Sequence, residues 1–358
     1  MRRLVVVLTA FALLAAACGD GDDGAAQDPS PSTSAPGGAT SSTAAGDGAG
    51  ASDAPSGSVP LAVTDVATDL DTVWAMAFDR EGKLWFTQRD GRLQQVGGKG
   101  RDIPGVVAQG EGGLMGLEID DDGRFFLMLT TRSDNRIIRL DTLDAEPVVL
   151  VDGIRKAGIH NGGRLRFGPD GRLYAGTGDA GDTSLPPKAD SLGGKILAID
   201  PASGDVEVVS RGHRNPQGLC FDADGRFLST EHGPDRGDEV NVIEEGKDYG
   251  WPDSSGTGIK NWTPTIAPGG CVVYTDELIP QWTGSMLFTT LKERDLRRLT
   301  FAADGSVADE EILYDDEYGR LRDVIVGPDG AVYLGTSSRD SRGNPKAGDD
   351  RILKISPR

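Results

Sequence analysis

The chain has 358 residues, of which 26% are charged and only 3 are histidines, with a formal net charge of -19. An acidic balance of that size excludes nucleic acid as the partner, because binding phosphates needs a basic face. It agrees instead with solubility at a cell surface.

Met1-Arg2-Arg3 and the apolar run from Leu4 to Ala17 have the charged start and short apolar core of a secretory signal. The run is too short to persist as a membrane-spanning helix. Residues 1–18 end in Ala15-Ala16-Ala17-Cys18, similar to a bacterial lipoprotein signal except that Ala15 stands where leucine is usual. The expectation is a lipidated Cys18 holding an extracytoplasmic protein to a membrane, the alternative being a plain secreted protein cut nearby. Residues 19–59 are almost entirely Gly, Ala, Ser, Thr, Pro and Asp. With nothing large to bury, they cannot offset their ordering entropy and read as a tether. Residues 60–358 remain as one domain, within reach of a single symmetric β fold. Its two cysteines, Cys220 and Cys271, are either a disulfide or two buried thiols.

Within that domain a turn signal recurs. Its copies are Asp79-Arg80-Glu81-Gly82-Lys83-Leu84, Asp121-Asp122-Gly123-Arg124-Phe125, Pro169-Asp170-Gly171-Arg172-Leu173, Ala223-Asp224-Gly225-Arg226-Phe227 and Pro328-Asp329-Gly330-Ala331-Val332, with a weaker one at Gln281–Leu287. Each lies between a short apolar strand and an alternating one, which is hairpin grammar. The glycines fall about 40 to 60 residues apart, the spacing of four-stranded propeller blades. Six copies predict an all-β, six-bladed β-propeller with few and short helices. The strand Leu61–Val66 is placed to complete the last blade, beside Arg351–Ile355, and so to remove an open sheet edge.

The three histidines fall in two glycine-rich stretches: His160-Asn161-Gly162-Gly163-Arg164-Leu165, and Gly212-His213-Arg214-Asn215-Pro216-Gln217-Gly218 with the nearby Glu231-His232-Gly233-Pro234. Histidine is the side chain best suited to move a proton near neutral pH, so this concentration points to an enzyme. Together with Gly110–Gly116, Glu231–Asn241 and Tyr249-Gly250-Trp251-Pro252, these motifs occur in the order and spacing of the sugar dehydrogenases that depend on pyrroloquinoline quinone (PQQ). Residues 60–358 resemble the aldose sugar dehydrogenase branch and, more distantly, soluble quinoprotein glucose dehydrogenase.

The resemblance implies oxidation of an aldose at C1 to the lactone, with hydride transfer to PQQ and electrons passed to an external acceptor, a quinone or a cytochrome. His160 matches the general base. Arg214 and Asn215 match residues at the quinone's reactive edge, where an arginine stabilises developing negative charge. Gly233 and Pro234 match the positions whose carbonyls bind calcium, a hard cation that prefers oxygen ligands. Arg320 and Arg322, whose i, i+2 spacing puts both on one face of an extended segment, match the pair that clamps the cofactor's carboxylates, with Lys292 as the remaining cation.

Two departures stand out. Glu111 lies where the glucose enzyme has a glutamine contacting the quinone, and a carboxylate beside a trianion is unfavourable unless protonated or paired. Ile159 replaces an aspartate that contacts the sugar, which implies a less discriminating sugar site. Asp238, Glu239, Asn241 and Tyr249 match a region that binds further calcium in the glucose enzyme. Trp74, Trp85 and Trp251 read as blade packing; Asp179 and Asp182 are candidates for the channel lining or for turns. The rival readings are a non-catalytic ligand- or protein-binding propeller and a calcium-dependent lactonase.

Overall fold

In the computed structural model, which describes residues 57–358, all six turn signals join the first strand of a four-stranded antiparallel sheet to its second. Gly82, Gly123, Gly171, Gly225, Gly284 and Gly330 all sit at φ between 74° and 82°, a region costly to any residue with a Cβ. The aspartates close the turns from within. Asp79 Oδ1 accepts the N–H groups of Glu81 and Lys83 at 3.1 and 2.9 Å, and Asp222 Oδ1 those of Asp224 and Arg226 at 3.0 and 2.7 Å. The weaker fifth copy is a longer connection containing the 3-10 turn Pro280–Trp282.

The sheets are six blades. Blade 1 comprises Val73–Phe78, Leu84–Gln88, Arg92–Gln95 and Gly100–Asp102, and blade 2 comprises Leu114–Ile119, Phe125–Thr130, Asn135–Leu140 and Val148–Ile154. Blades 3, 4 and 5 begin at Leu165–Phe167, Pro216–Phe221 and Pro268–Val273, and blade 6 at Leu321–Val326. First strands pack against first strands around the ring, including blade 6 against blade 1. Leu61–Ala67 is the outer strand of blade 6, pairing antiparallel with Ile352–Pro357 with Val63 opposite Ile355. The ring therefore closes with strands from both ends of the domain, as the sequence predicts.

Between blades the core is aromatic and aliphatic. Trp85 meets Phe125 edge-on at 4.9 Å, and Phe126 meets Phe167 at 5.2 Å. Every residue of Phe125–Thr130 is buried, and each large apolar side chain so removed from water contributes roughly 1.5–3 kcal/mol. Cys220 and Cys271 are joined as a disulfide between the first strands of blades 4 and 5, with Cα atoms 5.8 Å apart, which decides between the two alternatives. The expected leader 1–18 with its Cys18, and the expected tether up to residue 56, lie outside the described residues.

Because every blade has four antiparallel strands, the hairpins between first and second strands share one end of the ring. The loops after the second strands and those leading from blade to blade share the other.

Candidate active site

That loop end encloses a cavity of about 390 Å³, and all nine sequence-predicted site residues line it: Glu111, His160, Arg214, Asn215, Gly233, Pro234, Lys292, Arg320 and Arg322. Arg89 and Arg342 bring its cations to six, against the three acids Glu111, Asp238 and Asp340. A chain of net charge -19 has thus built a cationic cavity, the charge balance a polycarboxylate needs.

His160 sits at φ 53° on the loop entering blade 3. Its Nδ1 lies 2.8 Å from Asp179 Oδ1, and Asp179 is 1% exposed. Burial works to raise the pKa of Asp179, but bonds from His160, the Gly181 N–H and Trp251 Nε1 hold it below its ordinary value. An ionised carboxylate only accepts, so Nδ1 carries the proton, and in the neutral imidazole Nε2 then holds the lone pair, the arrangement of a proton acceptor. Asp182, by contrast, accepts the Ser184 N–H in a solvent-exposed turn.

The loop that carries Asp179 is anchored from behind. Lys195 is fully buried, and its ammonium donates to the carbonyls of Leu185, Pro186 and Gly193 at 3.1, 2.9 and 2.8 Å. Burial, aided by the neighbouring Arg211, pushes its pKa down to about 8.

The departure at Glu111 is resolved by pairing. Its Oε2 accepts the backbone N–H of His160 at 2.8 Å, and its Oε1 lies 2.6 Å from Arg342 Nη2. Across the cavity, Arg320 and Arg322 converge on one carboxylate oxygen, Asp340 Oδ2, from 2.8 and 3.2 Å. Burial opposes the Asp340 charge and the two guanidiniums more than restore it, lowering the pKa. Lys292 reaches the same cavity from the loop after the second strand of blade 5, with Nζ on Thr265 Oγ1.

Arg214 stacks over Trp251 at 5.4 Å and donates to the His232 carbonyl at 3.1 Å. Asn215 Oδ1 accepts the Gly162 N–H, tying blade 4 to the base loop. Asp238 spends its carboxylate on the N–H groups of Gly233, Ile266 and Ala267, which shapes the turn of Gly233 and Pro234. The carbonyls of those two residues accept no hydrogen bond among the described residues, so they are free for a hard cation. Glu239 and Tyr249 are similarly engaged with the Gly258 N–H and the Val242 carbonyl. Among the described residues no group of three or more His, Cys, Asp or Glu gathers as a metal set.

Two of the three tryptophans read as packing belong to the site. Trp74 lines the cavity with the Arg164 and Arg322 guanidiniums over its ring at 4.7 and 5.7 Å, and Trp251 bonds Asp179. Trp74 is at the same time buried in the blade core, as Trp85 is, so for both the packing reading holds. Sequence reasoning did not single out Asp340, Arg342 or Lys195. One signal pointed to Asp340: Gly335-Thr336 ends a second strand as Gly176-Thr177 does just before Asp179.

A six-bladed propeller with a carboxylate-fixed histidine facing a polycarboxylate clamp has the makings of a cofactor-dependent oxidoreductase rather than of a simple binding module. The chain belongs to the glucose/sorbosone dehydrogenase family, whose model matches residues 70–344. The PQQ-bound aldose sugar dehydrogenase from Streptomyces coelicolor is 35% identical, with a TM-score of 0.75 over 83% of this chain and 98% of that one. The aldose sugar dehydrogenase of Escherichia coli K12 is 29% identical, covering 81% of this chain and 91% of its own. Quinoprotein glucose dehydrogenase B of Acinetobacter calcoaceticus is 25% identical, covering 80% and 87%.

Proposed function

We propose that the protein oxidises aldose sugars at C1 to their lactones with PQQ and calcium, then passes the electrons to an external quinone or cytochrome. One observation carries this reading. A histidine with its tautomer set by a buried carboxylate and a pair of arginine forks face a single cavity. A relative of 35% identity that is described as PQQ-bound supports the same cofactor.

Arg320, Arg322 and Lys292 would hold the cofactor's carboxylates, Arg214 and Asn215 its quinone edge, and the Gly233 and Pro234 carbonyls its calcium. When bound, PQQ supplies the hydride acceptor, chemistry that no side chain offers. The chain's own part is the proton. His160 Nε2 takes it from the C1 hydroxyl while C1 gives up its hydride, leaving a carbonyl at C1. Asp179 stays ionised and stabilises the imidazolium so formed. Arg214 places positive charge where electron density accumulates. Ile159, 41% exposed at the cavity wall, offers the sugar no hydrogen bond, which favours a broad range of aldoses.

A purely ligand-binding propeller has no use for base and clamp together, and a lactonase has none for the clamp. The deciding experiment supplies PQQ and calcium to the purified protein and follows dye reduction with a panel of aldoses. Turnover confirms the dehydrogenase, whereas PQQ that binds without any sugar turnover moves the assignment to the non-catalytic propeller. At the membrane, we propose that lipidated Cys18 is the anchor. Cys18→Ser should then shift the protein to the soluble fraction, and retention of the variant in membranes would disprove the anchor.

A further inference from the structure

Arg342 is mostly exposed, with 60% of its side chain open to solvent, and lies on the loop after the second strand of blade 6. Its position is nevertheless set at both ends. Its backbone N–H donates to Asp340 Oδ1 at 3.0 Å, and the other oxygen of that carboxylate holds Arg320 and Arg322. Its guanidinium meets Glu111 Oε1 at 2.6 Å, and the other oxygen of that carboxylate holds the His160 N–H. The contacts form one line across the cavity mouth, from the clamp of blade 6 through Asp340, Arg342 and Glu111 to the base loop of blade 3.

The last link matters because His160 is a non-glycine residue at φ 53°, a conformation that residues with a Cβ rarely adopt and that persists only where its surroundings impose it. Glu111 is what bonds the His160 amide in that conformation. As a carboxylate 31% exposed, it keeps its place best when a cation fixes its other oxygen.

We propose that Arg342 is a positioning residue for the base: through Glu111 it holds the His160 backbone in the conformation that aims the imidazole into the cavity. This rests on the reading of His160 as the base. A partly exposed ion pair contributes up to about 1 kcal/mol, so its loss should shift the equilibrium between the aimed and the released conformation by up to about fivefold. The alternative role for a cation at this place is simple attraction of an anionic cofactor. That role alters cofactor affinity and leaves turnover at saturating cofactor untouched.

The test uses the full chain with Arg342→Gln, Arg342→Lys and Glu111→Ala. In the cofactor-free protein, hydrogen exchange of the amide of His160 should quicken about fivefold in Arg342→Gln and return toward the parental rate in Arg342→Lys. In protein reconstituted with saturating PQQ and calcium, kcat of Arg342→Gln should fall by up to about fivefold with KM little changed, since a misaimed base slows chemistry rather than binding. Adding Arg342→Gln to Glu111→Ala should cost nothing further, because the two act as one unit. Parental exchange at His160 in Arg342→Gln, or losses that multiply in the double variant, would overturn the proposal. Should exchange quicken while the parent oxidises no aldose, the positioning contact stands and the assignment of His160 as catalytic base fails.

Discussion

The two ends of the propeller are built on opposite plans. At the turn end, each hairpin is held by residues within four positions of one another, as where Asp79 Oδ1 takes the Lys83 N–H and Asp222 Oδ1 the Arg226 N–H. At the loop end, the functional contacts join separate loops, and several of them cross between blades. Glu111 meets Arg342, Arg320 donates to the Leu291 carbonyl, and Trp251 reaches Asp179. Substitutions at the turn end should therefore change stability alone. At the loop end they should change chemistry or binding in a ring that stays folded.

The largest effect tests the loop end directly. His160→Ala should keep its fold and its cofactor affinity while turnover at saturating PQQ drops by about 10² to 10⁴, the usual contribution of a positioned base. Dye reduction by matched holoproteins measures it, and parental turnover would remove His160 from its role. Next comes the clamp. Arg320→Ala or Arg322→Ala should weaken PQQ binding by about 10- to 10³-fold, as expected when one partner of a buried charged contact is removed. Cofactor titration with circular dichroism as the fold control reads this out; unchanged affinity in both variants would sink the clamp.

A smaller effect separates the anchor of the Asp179 loop from the rest. Lys195 has a folded pKa of about 8 against an ordinary 10.5, so between these values the unfolded chain binds the proton more readily than the native one. Unfolding free energy should thus gain about 1–2 kcal/mol from neutral pH to about 9.5 through this group, with no contribution below its folded pKa. Denaturant titrations at the two pH values should show the rise in the parent and its absence in Lys195→Met. An effect of similar size, confined to stability, belongs to the turn end. Gly171 has φ 79° and open space where a Cβ would lie, so Gly171→Ala should cost only the backbone term, about 1–2 kcal/mol. It should lower Tm by a few degrees and leave kcat and PQQ affinity at parental values; altered kinetics would contradict the division between the ends.

The repeat was legible because a hairpin is a local object. A glycine that must take positive φ and an aspartate that bonds the next few amides write their requirement into a few adjacent positions, and five such signals with a sixth that has the glycine alone gave the blade count, the strand pairing within each blade and the closing role of Leu61–Ala67. The nine cavity residues were legible for a different reason: five motifs kept the order and spacing of a known family and hold six of the nine, the family's remaining positions matched Lys292, Arg320 and Arg322, and family order stands in for spatial proximity. Where no such order existed, the chain was silent. The choice between disulfide and thiols for Cys220 and Cys271 needed the Cα atoms to be 5.8 Å apart, a distance that depends on how blades 4 and 5 pack. Asp179 read equally well as a turn residue until His160 and Trp251 closed on it, and Glu111 looked like a misplaced charge until Arg342 arrived from the far end of the chain. Interactions within a turn depend on neighbouring residues alone. Those at the cavity depend on six blades closing into a ring, which is why the kinds of residue in the site were readable and their pairing was decided by the tertiary structure.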